Sequence, residues 1–133
     1  MQNLKFPKSG RLSGNKNIQA LFKSGKRIYE PPLQMVYFIR SETAAADETT
    51  RILVSVPKKN YRKAHDRNRL KRQMREAWRH SRHLLIKKKP ETASENMTKA
   101  LHIAFIYQSP EKQPWAVILS AMERALMILA RKL

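Results

Sequence analysis

The sequence predicts a small α+β domain, an α-β-β-α-β-α sandwich in which helices pack on one sheet. Residues 33–40 and 101–107 alternate along the chain as strands with distinct faces do, whereas 67–79 and 115–131 repeat apolar residues at helical spacing. Glycine and proline fall between these stretches. A length of 133 residues suits one domain, so we treat 1–133 as a single unit.

The first element is a short helix that follows a basic amino-terminal segment. We expect residues 1–10 to be flexible without a partner, as basic chain ends often are. Ser13 or Asn15 can cap the helix, and Gly25 can end it. The apolar residues that share one face of this helix are Ile18, Leu21 and Phe22.

Two strands are predicted next. After the turn signal Pro31-Pro32, residues 33–40 place Leu33, Met35, Tyr37 and Ile39 on one side and Gln34, Val36, Phe38 and Arg40 on the other. Residues 41–50 are polar and small, which indicates a solvated hairpin loop. Residues 51–56 are rich in β-branched side chains and stop at Pro57, so we predict a second strand antiparallel to the first.

A basic helix, a strand and a closing helix complete the predicted order. Residues 67–79 form the centre of the basic stretch and are predicted to be helical, with 58–65 leading into the helix, and the polar residues 90–99 read as a connector. In the third strand, 101–107, one face carries Leu101, Ile103, Phe105 and Tyr107. Pro114 suits the first turn of the last helix, 115–131. The apolar stripe of that helix consists of Ile118, Met122, Ala125 and Leu129.

Composition points to a polyanionic partner. The net charge is +18 and the isoelectric point is near 10.8, as expected of a protein that neutralises nucleic-acid phosphates. The chain has no cysteine, which excludes disulfides and thiolate metal sites and fits a reducing cytoplasm. The amino terminus lacks an apolar run typical of a secretory signal, and no stretch is long enough to span a membrane.

The charge is concentrated around the basic helix. Residues 58–89 hold fourteen of the 28 basic residues and only two acids, Asp66 and Glu76. On a helical wheel, Leu70, Met74, Ala77 and Trp78 form one apolar stripe, and the far side carries Asn68, Arg69, Lys71, Arg72 and Arg79. A solvated helix face usually mixes both signs, so this imbalance favours binding to nucleic acid over mere exposure to water.

Two other functional classes stay open at this level. A general nucleic-acid-binding module, ribosomal or DNA-binding, could place the basic helix in a groove. A peripheral membrane protein could use a basic amphipathic helix, but its apolar stripe would have to face lipid, whereas the strands need that stripe for a core. Binding to duplex DNA or to liposomes separates these classes from a specific RNA partner.

The motif residues carry a family resemblance. Arg67-Asn68-Arg69-Leu70-Lys71-Arg72, followed by Arg75-Glu76-Ala77, lies behind a strand that ends in Ser55-Val56-Pro57-Lys58-Lys59. This arrangement resembles the signature of the bacterial ribonuclease P protein component. The first helix, with Ile18-Gln19-Ala20-Leu21-Phe22 before Lys23-Ser24-Gly25, resembles that family's amino-terminal segment. The resemblance covers the chain from about residue 10 to its end.

The resemblance implies a protein without catalytic residues of its own, one copy per catalytic RNA. The RNA of such a complex removes the 5′ leader of precursor tRNA with Mg²⁺ that is held mainly by RNA phosphates. The family fold has an unusual left-handed βαβ crossover. Its basic helix lies near the catalytic region of the RNA, and a cleft between the sheet and the first helix receives the single-stranded leader.

Residue roles are carried over from the same resemblance. The RNA-binding positions are Lys58, Lys59, Arg67, Asn68, Arg69, Lys71, Arg72 and Arg75. The leader-cleft positions are Ile18, Phe22, Tyr37 and Ser55. Ile18 stands where the family often has an aromatic residue, so one stacking platform is missing. Stacking and phosphate contacts accept any base, which suits a leader of variable sequence.

The inventory of polar side chains predicts no independent enzyme and no metal site. The ten acidic residues are scattered over different elements, and no glycine-rich phosphate loop or hydrolase elbow is present. His80 and His83 are three residues apart on one helix, but a convincing third ligand is missing. We therefore assign no catalytic residue to the protein.

Overall fold

The computed structural model describes residues 12, 14–44, 50–86 and 98–132. The elements in chain order are α1 (Asn15–Ser24), β1 (Lys26–Glu30), β2 (Leu33–Ala44), β3 (Thr50–Ser55), α2 (Ala64–Ser81), α3 (His83–Ile86), β4 (Thr98–Tyr107) and α4 (Trp115–Lys132). The predicted α+β class is confirmed, and every predicted helix and strand is present. Two short elements, β1 and α3, were not predicted.

The missed strand β1 pairs antiparallel with β2 around the turn at Pro31 and Pro32. Its sequence, Lys-Arg-Ile-Tyr-Glu, has only one buried side chain, Ile28. No apolar alternation marks such a strand, because its place is set by backbone pairing with β2 rather than by burial of one face.

Strand order corrects the predicted hairpin. The four strands lie in the order β1-β2-β4-β3, with β4 antiparallel to β2 and parallel to β3. The first two predicted strands do run in opposite directions, but β4 lies between them, so residues 41–50 are not a hairpin loop. Instead β2 continues to Ala44, while 45–49 lie outside the described residues. Strand β4 is central because residues 101–105 are buried on both faces.

Strands β3 and β4 are joined through α2 and α3, the connectivity of a βαβ crossover. The first eight residues of the predicted connector, 90–97, lie outside the described residues. Residues 98 and 99 already belong to β4. The predicted end of the connector, residue 99, is therefore wrong, since the backbone of β4 begins to pair with β2 at Thr98.

The main core lies between one face of the sheet and helices α2 and α4. It contains Leu33, Met35 and Tyr37 of β2 together with Leu101, Ile103, Phe105 and Tyr107 of β4. The predicted stripes of both helices are buried here, so those helix faces are confirmed. Burial of this apolar area is the main force that holds α2 in place and turns its opposite side outward.

The other face of the sheet is covered in part by α1. A small cluster there contains Leu12, Leu21, Val36 and Ala104. Gly14 occupies the position before the first residue of α1, and no side chain caps that end of the helix. The predicted cap at Ser13 or Asn15 is therefore wrong. Gly14 has a φ of 94°, a conformation that other residues disfavour. Asn15 is the first helical residue, and residues 1–11 and 13 lie outside the described part.

Candidate nucleic-acid interface

Helix α2 presents the basic motif on its solvent side. The helix begins at Ala64 and ends at Ser81, so it includes all of 67–79, the residues predicted to be helical. Leu70, Met74, Ala77 and Trp78 are buried. The predicted RNA-binding side chains Asn68, Arg69 and Arg72 are exposed, Arg67, Lys71 and Arg75 are half-buried, and Lys58 and Lys59 are exposed in the turn before the helix. Six of the eight therefore lie on α2, and the other two lie in the turn that leads into it.

Both acids of α2 are already engaged by other basic residues. Asp66 Oδ1 accepts a hydrogen bond from Lys112 Nζ at 2.8 Å, and this bond lowers the pKa of the Asp66 carboxyl from its usual value. Glu76 contacts Arg79 and lies 3.3 Å from His80 Nε2.

Consequently, in the parts of the chain that the structure covers, no acid lies within ion-pair distance of Arg69, Lys71 or Arg72. Their like charges repel one another unless a polyanion neutralises them.

Arg67 has a structural task that the sequence did not reveal. Its Nη1 donates to the carbonyl oxygens of Tyr61 and Arg62, each at 2.8 Å. The guanidinium thus ties the first turn of α2 to the segment that leads into it. A charged donor makes these bonds stronger than neutral ones. Arg67 is therefore committed to the fold through one of its nitrogens.

A buried tyrosine fixes that same segment to the sheet. Tyr61 is 6% exposed, and its hydroxyl donates to the carbonyl oxygen of Ser109 at 3.0 Å. Its ring meets Tyr107 edge-on, with centroids 6.0 Å apart. Burial, followed by the neighbouring Tyr107, raises the pKa of Tyr61 to about 12. Since Tyr61 N also bonds to Lys58 O at 3.2 Å, the basic turn of Lys58 and Lys59 has a fixed position.

The loop between β4 and α4 adds a basic residue that sequence reasoning missed. The Tyr107 hydroxyl donates to Glu111 O at 2.6 Å and accepts from Gln113 N at 2.8 Å, which holds the loop in shape. A cleft of about 410 Å³ separates this loop from α2 and is lined by Arg69, Leu70, Gln73, Lys112, Gln113, Pro114 and Trp115. Lys112 is far from the motif in sequence, so only the fold shows that it binds Asp66 and lines this cleft.

The α1 side of the sheet is the second candidate surface, and it brings three of the four predicted cleft residues together. Ile18 and Phe22 pack, half-buried, against the small cluster under α1. Ser55 is aligned with Ile106 of β4, which belongs to the same cluster, so Ser55 faces the same side. Ile18, Phe22 and Ser55 therefore lie on the same face of the sheet, and the leader cleft around them stays a prediction.

The structure places Tyr37 on the other face of the sheet from Ile18 and Phe22. Its side chain is 6% exposed and lies in the main core, on the face opposite Ile18 and Phe22, because successive residues of a strand point to opposite sides. The neighbouring Phe38 is the aromatic that packs against the α1 cluster. Both border a cleft of about 510 Å³ with Ser24, Lys26, Ile39 and Lys132, at the sheet end away from Ser55. The predicted alternation of β2 already placed Tyr37 and Phe38 on opposite faces of the sheet. It could not show which of the two faces α1 covers.

One row of side chains crosses all four strands on this face. Tyr29 of β1 is aligned with Gln34 of β2, Gln34 with Ile106 of β4, and Ile106 with Ser55 of β3. We call these four residues the end row, because β3 ends at this row, β4 ends one residue beyond it, and the turn between β1 and β2 lies there. The turn of Lys58 follows Ser55 by three residues, so the end row and the basic turn share one end of the sheet.

Two features of the described residues bear on rival functions. In the described ranges, no group of three or more His, Cys, Asp or Glu side chains is arranged to hold a metal ion. Within the same ranges, no helix combines the length and the apolar character needed to cross a membrane. His80, considered above with His83, instead packs its ring against Trp115 at 5.8 Å.

The chain is similar in sequence to ribonuclease P proteins. The family model described as Ribonuclease P matches residues 6–129. A curated ribonuclease P protein component from Porphyromonas gingivalis is 38% identical over 92% of this chain and 85% of its own length. A second sequence from another strain of that species is 37% identical over the same shares.

Solved structures with this fold include two proteins with lower sequence identity. A mutant RNase P protein of Staphylococcus aureus aligns with a TM-score of 0.67 and 24% identity over 92% of this chain and 89% of its own. The RNase P protein of Thermotoga maritima aligns with a TM-score of 0.66 and 21% identity, covering 89% of this chain and 96% of its own. At these identities, the likeness supports the fold.

Proposed function

This chain belongs to the family of bacterial ribonuclease P protein components, and from that premise we propose that it binds the catalytic RNA of ribonuclease P and the 5′ leader of precursor tRNA. The RNA then removes the leader, which matures the 5′ end of tRNA. One protein serves one RNA, in the cytoplasm. The observation that carries this proposal is the basic side of α2, where Arg69, Lys71 and Arg72 have no acidic partner among the described residues.

In this proposal, the basic surface contacts RNA phosphates. Arg69, Lys71 and Arg72 have no acidic partner among the described residues, so a phosphate backbone supplies the counter-charge that the fold lacks. Lys58 and Lys59 extend the surface toward the sheet. Arg67 serves both the fold and the interface, because Nη1 is engaged internally and the guanidinium has further donors.

The leader lies in the cleft beside α1. Ile18 and Phe22 supply apolar contact from the helix, while Ser55 supplies a hydroxyl from the sheet. Contacts of this kind accept bases of any identity, as a leader of variable sequence requires. Phe38 replaces Tyr37 as the aromatic residue that β2 offers on this side.

The protein supplies binding and orientation rather than the cleavage step. We assign the Mg²⁺ ions to the phosphates of the catalytic RNA, where they supply the charge stabilisation that phosphodiester hydrolysis needs. The acids of α2 do not form a carboxylate pair, since Asp66 is bound by Lys112 and Glu76 by Arg79 and His80. No protein side chain acts on the scissile bond in this scheme.

A reconstitution experiment tests the proposal. The catalytic ribonuclease P RNA of the source organism is incubated with a leader-bearing precursor tRNA at low Mg²⁺, with and without this protein, and the protein is also incubated alone. We expect faster cleavage with protein and RNA together and none with protein alone. Unchanged cleavage, together with equal affinity for duplex DNA, would favour the general nucleic-acid-binding module instead.

The cleft assignment has a separate test. Phe22→Ala should reduce the preference for leader-bearing over mature tRNA, because the contact is made only with the leader. Tyr37→Phe is the matched control, since it alters an aromatic residue on the opposite face of the sheet. Equal weakening of both ligands by Phe22→Ala would contradict the cleft assignment.

A further inference from the structure

Tyr29 is the most exposed of the large apolar or aromatic side chains described, with 57% of its surface open to solvent. It lies on edge strand β1, whose other side pairs with no strand in the described sheet. Tyr29 is aligned with Gln34, so its ring stands on the α1 side of the sheet rather than on the main core. Tyrosine is enriched at binding surfaces, because its ring offers apolar contact area while its hydroxyl stays in water.

The end row places Tyr29 in line with the leader cleft. Ser55, at the other end of the row, is part of that cleft and precedes the basic turn of Lys58. Tyr29 and Ser55 are separated by three strand spacings, or about 14 Å. Between them the surface is formed by Gln34 and Ile106, both half-buried. The row is thus a continuous strip from the basic turn to the sheet edge.

Polar groups along the strip are ordered before any ligand arrives. Gln34 Oε1 accepts hydrogen bonds from Arg27 Nη1 at 3.3 Å and from Gln108 Nε2 at 3.2 Å. The Gln34 amide nitrogen and the Gln108 amide oxygen therefore remain available as a donor and an acceptor. Arg27 adds a positive charge beside Tyr29. An aromatic face, amide groups and a cation together are what single-stranded nucleic acid requires of a binding surface.

We propose that Tyr29 is a stacking platform for one base of the single-stranded leader. The leader reaches Tyr29 after it has crossed the end row from Ser55. This inference rests on the proposed function and extends it, because it adds a subsite at the β1 edge beyond the cleft of Ile18, Phe22 and Ser55. Arg27 binds the adjacent phosphate, and the side-chain amides of Gln34 and Gln108 contact the leader between Ser55 and Tyr29. The leader therefore has to reach a minimum length before Tyr29 contributes.

Charge selects RNA as the occupant of this strip. Arg27 and the turn of Lys58 and Lys59 flank the row, and the whole chain carries a net charge of +18. The Glu30 carboxylate on the same strand points to the other face, where Arg124 Nε binds it at 2.8 Å. The exposed strip is therefore polar and positive, which suits a phosphate backbone with unstacked bases.

The test uses the reconstituted complex of catalytic RNA and protein, and precursor tRNAs whose leaders are shortened one nucleotide at a time. Dissociation constants are measured for the unmodified protein, Tyr29→Ala and Tyr29→Phe. We expect Tyr29→Ala to weaken binding of long leaders by about 5- to 150-fold, the loss associated with one stacked base. That loss should vanish once the leader is shortened past one particular nucleotide. Tyr29→Phe keeps the ring and should bind like the unmodified protein.

Two controls make the result specific. Met127→Ala removes another large exposed side chain, 45% open to solvent on α4, and should leave leader binding unchanged. An abasic nucleotide at the critical leader position should reproduce the loss in the unmodified protein and add nothing to Tyr29→Ala, because both changes remove the same contact.

The outcomes separate the two proposals. If the unmodified complex prefers long leaders but Tyr29→Ala binds them equally well, or weakens mature tRNA to the same extent, the subsite is refuted and the proposed function stands. If the unmodified protein neither stimulates cleavage nor favours leader-bearing tRNA, the proposed function itself fails.

Discussion

Replacement of Arg67 by alanine should destabilise the free protein, although this position belongs to the motif that the family resemblance assigns to RNA binding. The substitution removes two hydrogen bonds of 2.8 Å from Nη1 to Tyr61 O and Arg62 O. The bond to Tyr61 O is partly buried and the bond to Arg62 O is exposed. A bond from a charged donor contributes about 1.5 to 3 kcal/mol, and a carbonyl at the surface regains water. We therefore expect a loss of about 2 to 3 kcal/mol.

Urea denaturation followed by tryptophan fluorescence measures this loss, since Trp78 is buried in the main core. With a urea dependence of about 1 to 3 kcal/mol per molar, the midpoint should fall by roughly 0.7 to 3 M at constant slope. Lys71→Ala is the matched control, because it removes a positive charge from the same helix without a hydrogen bond to the fold, and it should change stability by about 0.5 kcal/mol or less. If both variants unfold at the same urea concentration, the structural role of Arg67 is refuted.

Three further predictions concern other parts of the molecule. Lys71→Ala should flatten the dependence of log K on log salt for the catalytic RNA by about 0.7 to 0.9, and an unchanged slope would show that Lys71 meets no phosphate. Gly25→Ala should lower stability by about 1 to 3 kcal/mol in thermal unfolding, because the added Cβ would lie 2.4 Å from Leu21 O and 2.9 Å from Tyr37 O; a melting temperature equal to that of the unmodified protein would contradict this close approach. Titration of tyrosinate absorbance should show one tyrosine with a pKa near 12, absent in Tyr61→Phe; since this raised pKa favours the neutral phenol, its contribution to stability is complete below pH 10 and declines between pH 10 and 12.

The elements that the sequence predicted well are those whose burial leaves a long periodic signal. Strand β4 and helices α2 and α4 all pack a complete face on the main core, so their apolar residues recur at fixed spacing. Strand β1 has only Ile28 to bury, and α3 has four residues, so neither carries a period. The order of strands in the sheet was not predictable from β2 and β3 alone. These two strands are joined through β4, which lies far along the chain.

The residues of the candidate site were likewise only partly predictable from the sequence. The motif of α2 is contiguous and could be found from sequence, and so could the basic turn before it. Lys112 could not, because only the fold brings it to within 2.8 Å of Asp66. Tyr37 was misplaced because alternation assigns residues to two faces but does not show which face α1 covers. Phe38, one residue later, has the position that the resemblance had given to Tyr37.

The central place of β4 has a consequence for biosynthesis. A nascent chain that has emerged as far as Ile86 holds β1, β2 and β3, but the strand that joins β2 to β3 is still to come. Ala104, which completes the cluster under α1, is also missing at that point. Pairing across such long sequence separations is slow, and the unpaired edges of β2 and β3 stay open in the meantime. The four-stranded sheet therefore cannot form before β4 has been synthesised, and α2 gains the complete core that orients its basic side only late in synthesis.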